Sequence, residues 1–214
     1  MLLYYITDRT QFPGDEHTRQ GALLEKIAEA TRCGVDLIQL REKDLPIRDL
    51  EVLTHAALRI VRPPGIEGRK LTTRLLLNSR TDVAVACGAD GVHLRSDDIS
   101  PLEVQKIWAQ AGNSSRVLVS VSCHSARAVA HAASEGADFA VLAPIFEKKD
   151  APEASPASLS GLAKACRHKI PVVALGGITL KNARACRDAG AAGVAAIRLF
   201  QENHIADVVR GLEV

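Results

Sequence analysis

Four stretches of the chain repeat one phrase: Cys33-Gly34-Val35-Asp36 before LIQL (37–40), Cys87-Gly88-Ala89-Asp90 before GVHL (91–94), Glu135-Gly136-Ala137-Asp138 before FAVL (139–142), and Ala189-Gly190-Ala191-Ala192 before GVAAI (193–197). Each reads as a helix stop feeding a strand. Glycine tolerates the left-handed conformation just past a helix end, and a short apolar run after it suits a strand buried on both faces. The glycines recur at intervals of 54, 48 and 54 residues (34 to 88, 88 to 136, 136 to 190).

Between these phrases lie four more apolar runs, at 2–7, 74–78, 116–121 and 171–175, which makes eight strands. Helical patterns fill the gaps, among them Thr18 to Thr31, Ile47 to Val61, Ser100 to Ala111, Ser125 to Ser134 and Thr179 to Asp188, several opened by Ser, Thr or Pro. Eight βα units of roughly 25 residues with internal similarity match a closed parallel barrel, and an open doubly wound sheet of about five strands would leave much of the chain unexplained. The expected fold is therefore α/β, one (β/α)8 TIM barrel over residues 1–214. Only PPGIEGRK (63–70) and EKKDAPEASPAS (147–158) read as extended loops.

Composition narrows the function. A formal charge of +2 and an aromatic content of 3% offer neither a basic field nor stacking platforms, so nucleic acid is not an expected partner. The apolar start MLLYYIT meets Asp8 and Arg9 at once, too short for a signal sequence, and no stretch reaches membrane-spanning length. The expectation is a cytoplasmic protein without a membrane partner. Five scattered cysteines, with no C-x-x-C pair, read as reduced structural thiols.

In such a barrel the chemistry sits where strands run into their following loops. After strand seven comes Gly176-Gly177-Ile178-Thr179, and after strand eight Ile197-Arg198. Backbone N–H groups there, with Arg198 as a possible fork, make the fold's habitual phosphate site; the alternative is a tight turn with a surface arginine. Strand two ends Gln39-Leu40-Arg41-Glu42-Lys43-Asp44, and alternation turns Gln39, Arg41 and Lys43 toward the mouth. Those cations call for an anion, and they can also join an ion-pair network with Glu42, Asp44 or Asp8; the two readings are compatible.

Strand three ends Asn78-Ser79-Arg80, and strand four runs His93-Leu94-Arg95-Ser96-Asp97-Asp98. Paired aspartates hold magnesium when further oxygens lie opposite, but Asp97 or Asp98 more simply precedes the helix near Pro101. Strand five ends Ser122-Cys123-His124. His124 is a candidate acid/base or a helix cap, and Cys123, on the opposite side of the strand, would not meet it.

Together YYITD, IQLREKD, LLLNSRTDVAVACGADGVHL, VSCHS, APIF followed by KKD, and PVVALGGIT resemble the thiamin-phosphate synthase and TenI superfamily from end to end. The resemblance implies a small phosphorylated thiazole as ligand. In the synthases it is alkylated by a pyrimidine whose diphosphate departs with magnesium; in TenI relatives a thiazole carboxylate phosphate is isomerised to its aromatic tautomer. By resemblance Gln39, Arg41, Lys43 and Asn78 lie around the pyrimidine diphosphate, Ser122 makes a further ligand contact, and Gly177, Ile197 and Arg198 hold the thiazole phosphate.

Two departures stand out. The family's N-D-R reads Asn78-Ser79-Arg80, leaving Asp98 alone of the expected metal pair, and the threonine-bearing diphosphate loop shortens to Glu147-Lys148-Lys149-Asp150, where Lys148 survives. These favour a tautomerase that needs no cofactor, with His124 as general acid/base. The alternatives are a magnesium-dependent synthase and a catalytically silent binder of thiamin intermediates. Barrels of this size often pair, so a homodimer is a further expectation.

Overall fold

The computed structural model describes residues 1–63, 73–112, 115–146 and 157–213. In chain order these form β1 (Leu2–Ile6), α1 (Glu16–Arg32), β2 (Leu37–Leu40), α2 (Ile47–Val61), β3 (Arg74–Asn78), α3 (Thr81–Cys87), β4 (Gly91–Leu94) and α4 (Pro101–Gln110), then β5 (Leu118–Cys123), α5 (Ala126–Ser134), β6 (Phe139–Leu142), α6 (Ser158–Ala165), β7 (Val172–Leu175), α7 (Ala183–Asp188), β8 (Gly193–Ala196), α8 (Arg198–Gln201) and α9 (Ile205–Glu213). The strands pair in sequence order, all parallel, and β8 closes back on β1. The expected (β/α)8 barrel is what the chain builds.

Alternation along each strand divides the buried side chains into two cores. One set fills the barrel: Tyr4, Ile6, Leu37, Leu76, Phe139, Val141, Val173 and Ala195. The other set, including Leu3, Tyr5, Ile38, Leu75 and Leu77, packs outward against the helices. Every residue of β2, β4, β6 and β8 is buried, as strands covered on both faces must be. Inside the barrel the Tyr4 ring meets Phe139 edge-on at 5.8 Å. Gly91 faces this interior, where a Cβ would stand 1.9 Å from the Leu118 carbonyl oxygen, so only glycine lets β4 and β5 approach as they do.

The repeated phrase has a structural purpose beyond its glycine. The Asp36, Asp90 and Asp138 carboxylates each accept, at 2.8 Å, the first free backbone N–H of the preceding odd strand, from Leu3, Leu75 and Val119 respectively. A side chain thereby satisfies a backbone donor at the barrel's N-terminal face. The fourth repeat carries Ala192 and bonds through its own backbone N–H to Val172 O at 2.8 Å.

Several boundaries differ from the sequence expectation. Strand five covers Leu118–Cys123 instead of 116–121, which places Ser122 and Cys123 within it. The last helix before β8 begins at Ala183, not Thr179. Asn182 accounts for that: its amide oxygen takes Thr179 N–H and its amide nitrogen donates to Gly177 O, both at 2.8 Å, closing a side-chain turn where a first helical turn would be. Helix α1 starts earlier than Thr18, at Glu16, because Asp15 caps it by accepting from Thr18 N–H at 2.9 Å.

Candidate functional site

The C-terminal ends of β2 to β5 carry a polar band turned into the barrel. The Gln39 amide nitrogen donates to Asn78 Oδ1 at 2.8 Å, and the Asn78 amide donates to the Ser79 hydroxyl at 3.3 Å. With the donors running in one direction, Gln39 Oε1 is left as a buried acceptor without a partner among the described residues. Such an atom costs free energy unless a ligand donor reaches it.

Beside it His93 is buried in the middle of the band, with Nδ1 2.8 Å from the Ser120 hydroxyl and Nε2 2.9 Å from that of Ser122. Burial first, and then the Arg41 guanidinium, push this imidazole down to about 4, so it is neutral at physiological pH. His93 therefore orients Ser122. The sequence reading passed over it, although its inward parity with Ser120 and Ser122 was the available signal.

Arg41 and Lys43 stand at the rim above. The ion pairs expected of these cations with Glu42, Asp44 or Asp8 are absent among the described residues: Arg9 holds Glu42 and Asp44, while Asp8 accepts from Thr10 Oγ1 at 2.6 Å and from the Gln11 amide at 2.8 Å. The Arg9 guanidinium reaches Asp44 at 2.7 and 2.9 Å, Glu42 at 3.2 Å and Glu16 at 2.7 Å. Glu42 also accepts from Thr7 Oγ1 at 2.5 Å and Arg9 N–H at 3.0 Å. Among the described residues neither Arg41 nor Lys43 has an ion-pair partner. Consistent with that surplus, the Lys43 ammonium is held below its ordinary value, first by Arg41, then by burial and Arg95, against a smaller opposing pull from Asp8.

His124 follows β5 and is exposed, with Nδ1 2.8 Å from the Ala143 carbonyl oxygen. A carbonyl only accepts, so in the neutral ring Nδ1 carries the proton and Nε2 keeps a free lone pair. Cys123 is buried on the other side of the strand, and burial pushes its thiol up to about 11, far from a reactive thiolate. A cavity of about 180 Å3 flanks the mouth here, its walls including Arg95, Asp98, Ser122, Cys123, His131 and Glu135.

Gly176 and Gly177 leave β7 with φ of 101° and 66°, and Ile197 and Arg198 leave the adjacent β8. The two loops therefore emerge side by side on the same rim as the polar band. Gly176 is tightly packed as well, since a Cβ would stand 2.8 Å from Pro144 Cα. Lys148, with Glu147, Lys149 and Asp150, lies outside the described residues.

The metal pair implied by the resemblance is a poor match for a hard cation. Asp98, whose side chain is 13% exposed, accepts Arg95 N–H at 2.8 Å and pairs with the Arg95 guanidinium at 3.2 Å. Ser79, at φ 60°, offers only a neutral hydroxyl. A divalent cation that gathers six or more oxygen ligands finds here one carboxylate already bound to an arginine. Among the described residues no cluster of three or more His, Cys, Asp or Glu is arranged to hold a metal ion. The residues do not fit magnesium.

Comparison with known proteins bears on this rim. The family model described as thiamine monophosphate synthase matches residues 3–200. The chain belongs to the thiamine monophosphate synthase family. Within that family it is 38% identical to the thiamine-phosphate synthase of Methanoculleus marisnigri over 91% of this chain and 85% of that one. It is 36% identical to that of Roseiflexus sp. over 92% of this chain and 76% of that one. The solved thiamine phosphate pyrophosphorylase from Pyrococcus furiosus shares 28% identity and a TM-score of 0.79, covering 99% of this chain and 93% of that structure. Membership places the protein in thiamin biosynthesis with phosphorylated small-molecule substrates. Among the described residues no helix is long and apolar enough to cross a membrane.

Proposed function

We propose that the protein joins a thiazole phosphate to a hydroxymethylpyrimidine diphosphate, forming thiamin phosphate and releasing diphosphate, and that side-chain cations carry the charge of the leaving group. The named relatives support this synthase reaction over the tautomerase that the loss of the metal aspartate favours from sequence. The observation that carries it is the pairing of unlike needs on one wall: the acceptor Gln39 Oε1 and the cations Arg41 and Lys43, none of which has a hydrogen-bond or ion-pair partner for that need among the described residues. A hydrogen-bond donor on the pyrimidine satisfies the first, and its diphosphate the second.

The bond that breaks joins the pyrimidine methylene carbon to the diphosphate oxygen, which keeps the electron pair. The bond that forms joins that carbon to the thiazole ring nitrogen. Arg41 and Lys43 oppose the negative charge growing on the departing oxygens, which is where preorganised cations lower a barrier. Gly176, Gly177, Ile197 and Arg198 seat the thiazole phosphate on the opposite side, and Asn78 and Ser122 complete the pyrimidine pocket. No step is routed through magnesium.

The test supplies both substrates with and without a chelator and follows thiamin phosphate. Turnover should persist in the chelator, and Arg41→Gln and Lys43→Gln should each lower kcat/KM by about a hundredfold. Absence of product under both conditions would refute the synthase. One observation favours a second reaction at the same rim: His124, with Nδ1 committed to Ala143, presents Nε2 as a base for moving a proton between thiazole carbons. In that case the non-aromatic thiazole carboxylate phosphate changes its ultraviolet spectrum with the protein but not with His124→Gln. Ligand-dependent melting with neither turnover would leave a binding role.

A further inference from the structure

At the other end of the barrel, on the N-terminal edge of β3, β4 and β5, a cavity of about 280 Å3 is lined by Arg62, Arg74, Asp90, Trp108, Ser115 and Arg116, with Gly88 and Ala89. None of these belongs to the catalytic rim. The strand-capping aspartates explain part of the cluster. Arg62 holds Asp90 at 2.6 Å and Gly88 O at 3.0 Å, and Arg116 holds Asp138 at 2.6 Å. Both carboxylates are also tied to backbone N–H groups, so they have little left to offer.

Two members have no such account. Arg74 is exposed and makes no ion pair or side-chain hydrogen bond among the described residues. Trp108 is 3% exposed, and its indole N–H has no acceptor among the described residues. A buried indole normally finds a partner for that donor, and a missing one points to a bound group. Each guanidinium carries five N–H donors, so Arg62 and Arg116 also retain several beyond their aspartates.

We propose that this cavity is a second ligand site, which takes the phosphate or diphosphate group of a small molecule remote from the catalytic mouth. Arg62, Arg74 and Arg116 all line this cavity, and Trp108 forms part of its wall. A tetrahedral anion with three or more free oxygens can share the spare donors of three guanidinium groups, whereas a carboxylate has only two oxygens. The volume sits just below the usual range for ligand pockets, about 300 to 1,000 Å3, which suits a phosphorylated metabolite and not a macromolecule. The inference is independent of the reaction proposed at the rim.

Trp108 is the only tryptophan in the sequence, so tryptophan emission, excited where Tyr4 and Tyr5 do not absorb, reports on this residue alone. The protein is titrated with inorganic phosphate and with inorganic diphosphate, and with sodium acetate at matched ionic strength. A saturable change with the phosphates and none with acetate is expected. Arg74→Gln should raise the midpoint at least tenfold while leaving thermal unfolding unchanged, and Arg41→Gln at the rim should leave the midpoint where it is. Arg116→Gln gives the same readout should Arg74→Gln fail to fold. The proposal is overturned by a flat titration, by an equal response to acetate, or by a midpoint that ignores both cavity arginines.

Discussion

Protonation of His93 offers a quantitative test of the barrel interior. The unfolded imidazole takes up a proton near 6.5, while the folded one, enclosed with Ser120 and Ser122 and facing Arg41, does so only at about 4, with Asp98 opposing the shift weakly. Between those values the unfolded state binds more protons, so acidification favours unfolding. The contribution is intact above pH 6.5 and is lost as pH falls toward 4. A gap of that size is worth about 3 kcal/mol below pH 4 and about 2 kcal/mol at pH 5. For a chain of this length, 2 kcal/mol lowers Tm by about 4–8 °C. Chemical denaturation at pH 7.5 and pH 5 of the protein and of His93→Gln isolates the effect, because surface groups titrate alike in both. The original should lose about 2 kcal/mol more than the variant. Parallel pH dependences would mean the imidazole is not sealed in the barrel, and the positioning of Ser122 through it would fall too.

Arg9→Met leaves the buried Glu42 carboxylate, 1% exposed, without its cation; it should cost about 3–5 kcal/mol in denaturant unfolding, and a loss under 1 kcal/mol would contradict the network. Gly176→Ala forces a Cβ against Pro144 at φ 101° and should weaken thiazole phosphate binding at least tenfold by calorimetry, with about 1–3 kcal/mol lost in stability. Ser79→Asp supplies the carboxylate that the family resemblance expects at this position after β3. It should bring a magnesium-dependent rise in Tm that the original protein lacks; an equal rise in both would show that the native donor set holds the metal after all.

Strand order and closure were legible because a repeat with fixed spacing leaves few topologies, and GVHL, LIQL and FAVL kept their bounds to the residue. The inward direction of Gln39 was legible, because period-two alternation holds within β2; Arg41 and Lys43 lie beyond the strand's end at Leu40, where alternation no longer sets direction. What escaped had long-range causes. The Arg9 cluster joins residues some 33 to 35 positions apart, and nothing local in Thr7-Asp8-Arg9 announces that it will take the carboxylates of the next strand. His93 escaped for a related reason, since its serine partners lie on the neighbouring strand. The use of Asp36, Asp90 and Asp138 as strand caps was hidden because a repeat advertises its existence without its hydrogen bonds.

Arg9, by occupying Glu42 and Asp44, also settles the charge of the mouth. Had those carboxylates turned toward Arg41 and Lys43, the rim would be neutral and a polyanion would need a metal to enter. Because Arg9 holds both, Arg41 and Lys43 stay without an ion-pair partner among the described residues, while the β7 and β8 loops bring the backbone of Gly176, Gly177 and Ile197 to the same rim. That asymmetry divides the rim into a charged half and a main-chain half. Under the proposed reaction such an arrangement suits two differently charged phosphorylated substrates, and it would remove part of the electrostatic need that an aspartate at position 79 would otherwise meet through a divalent ion.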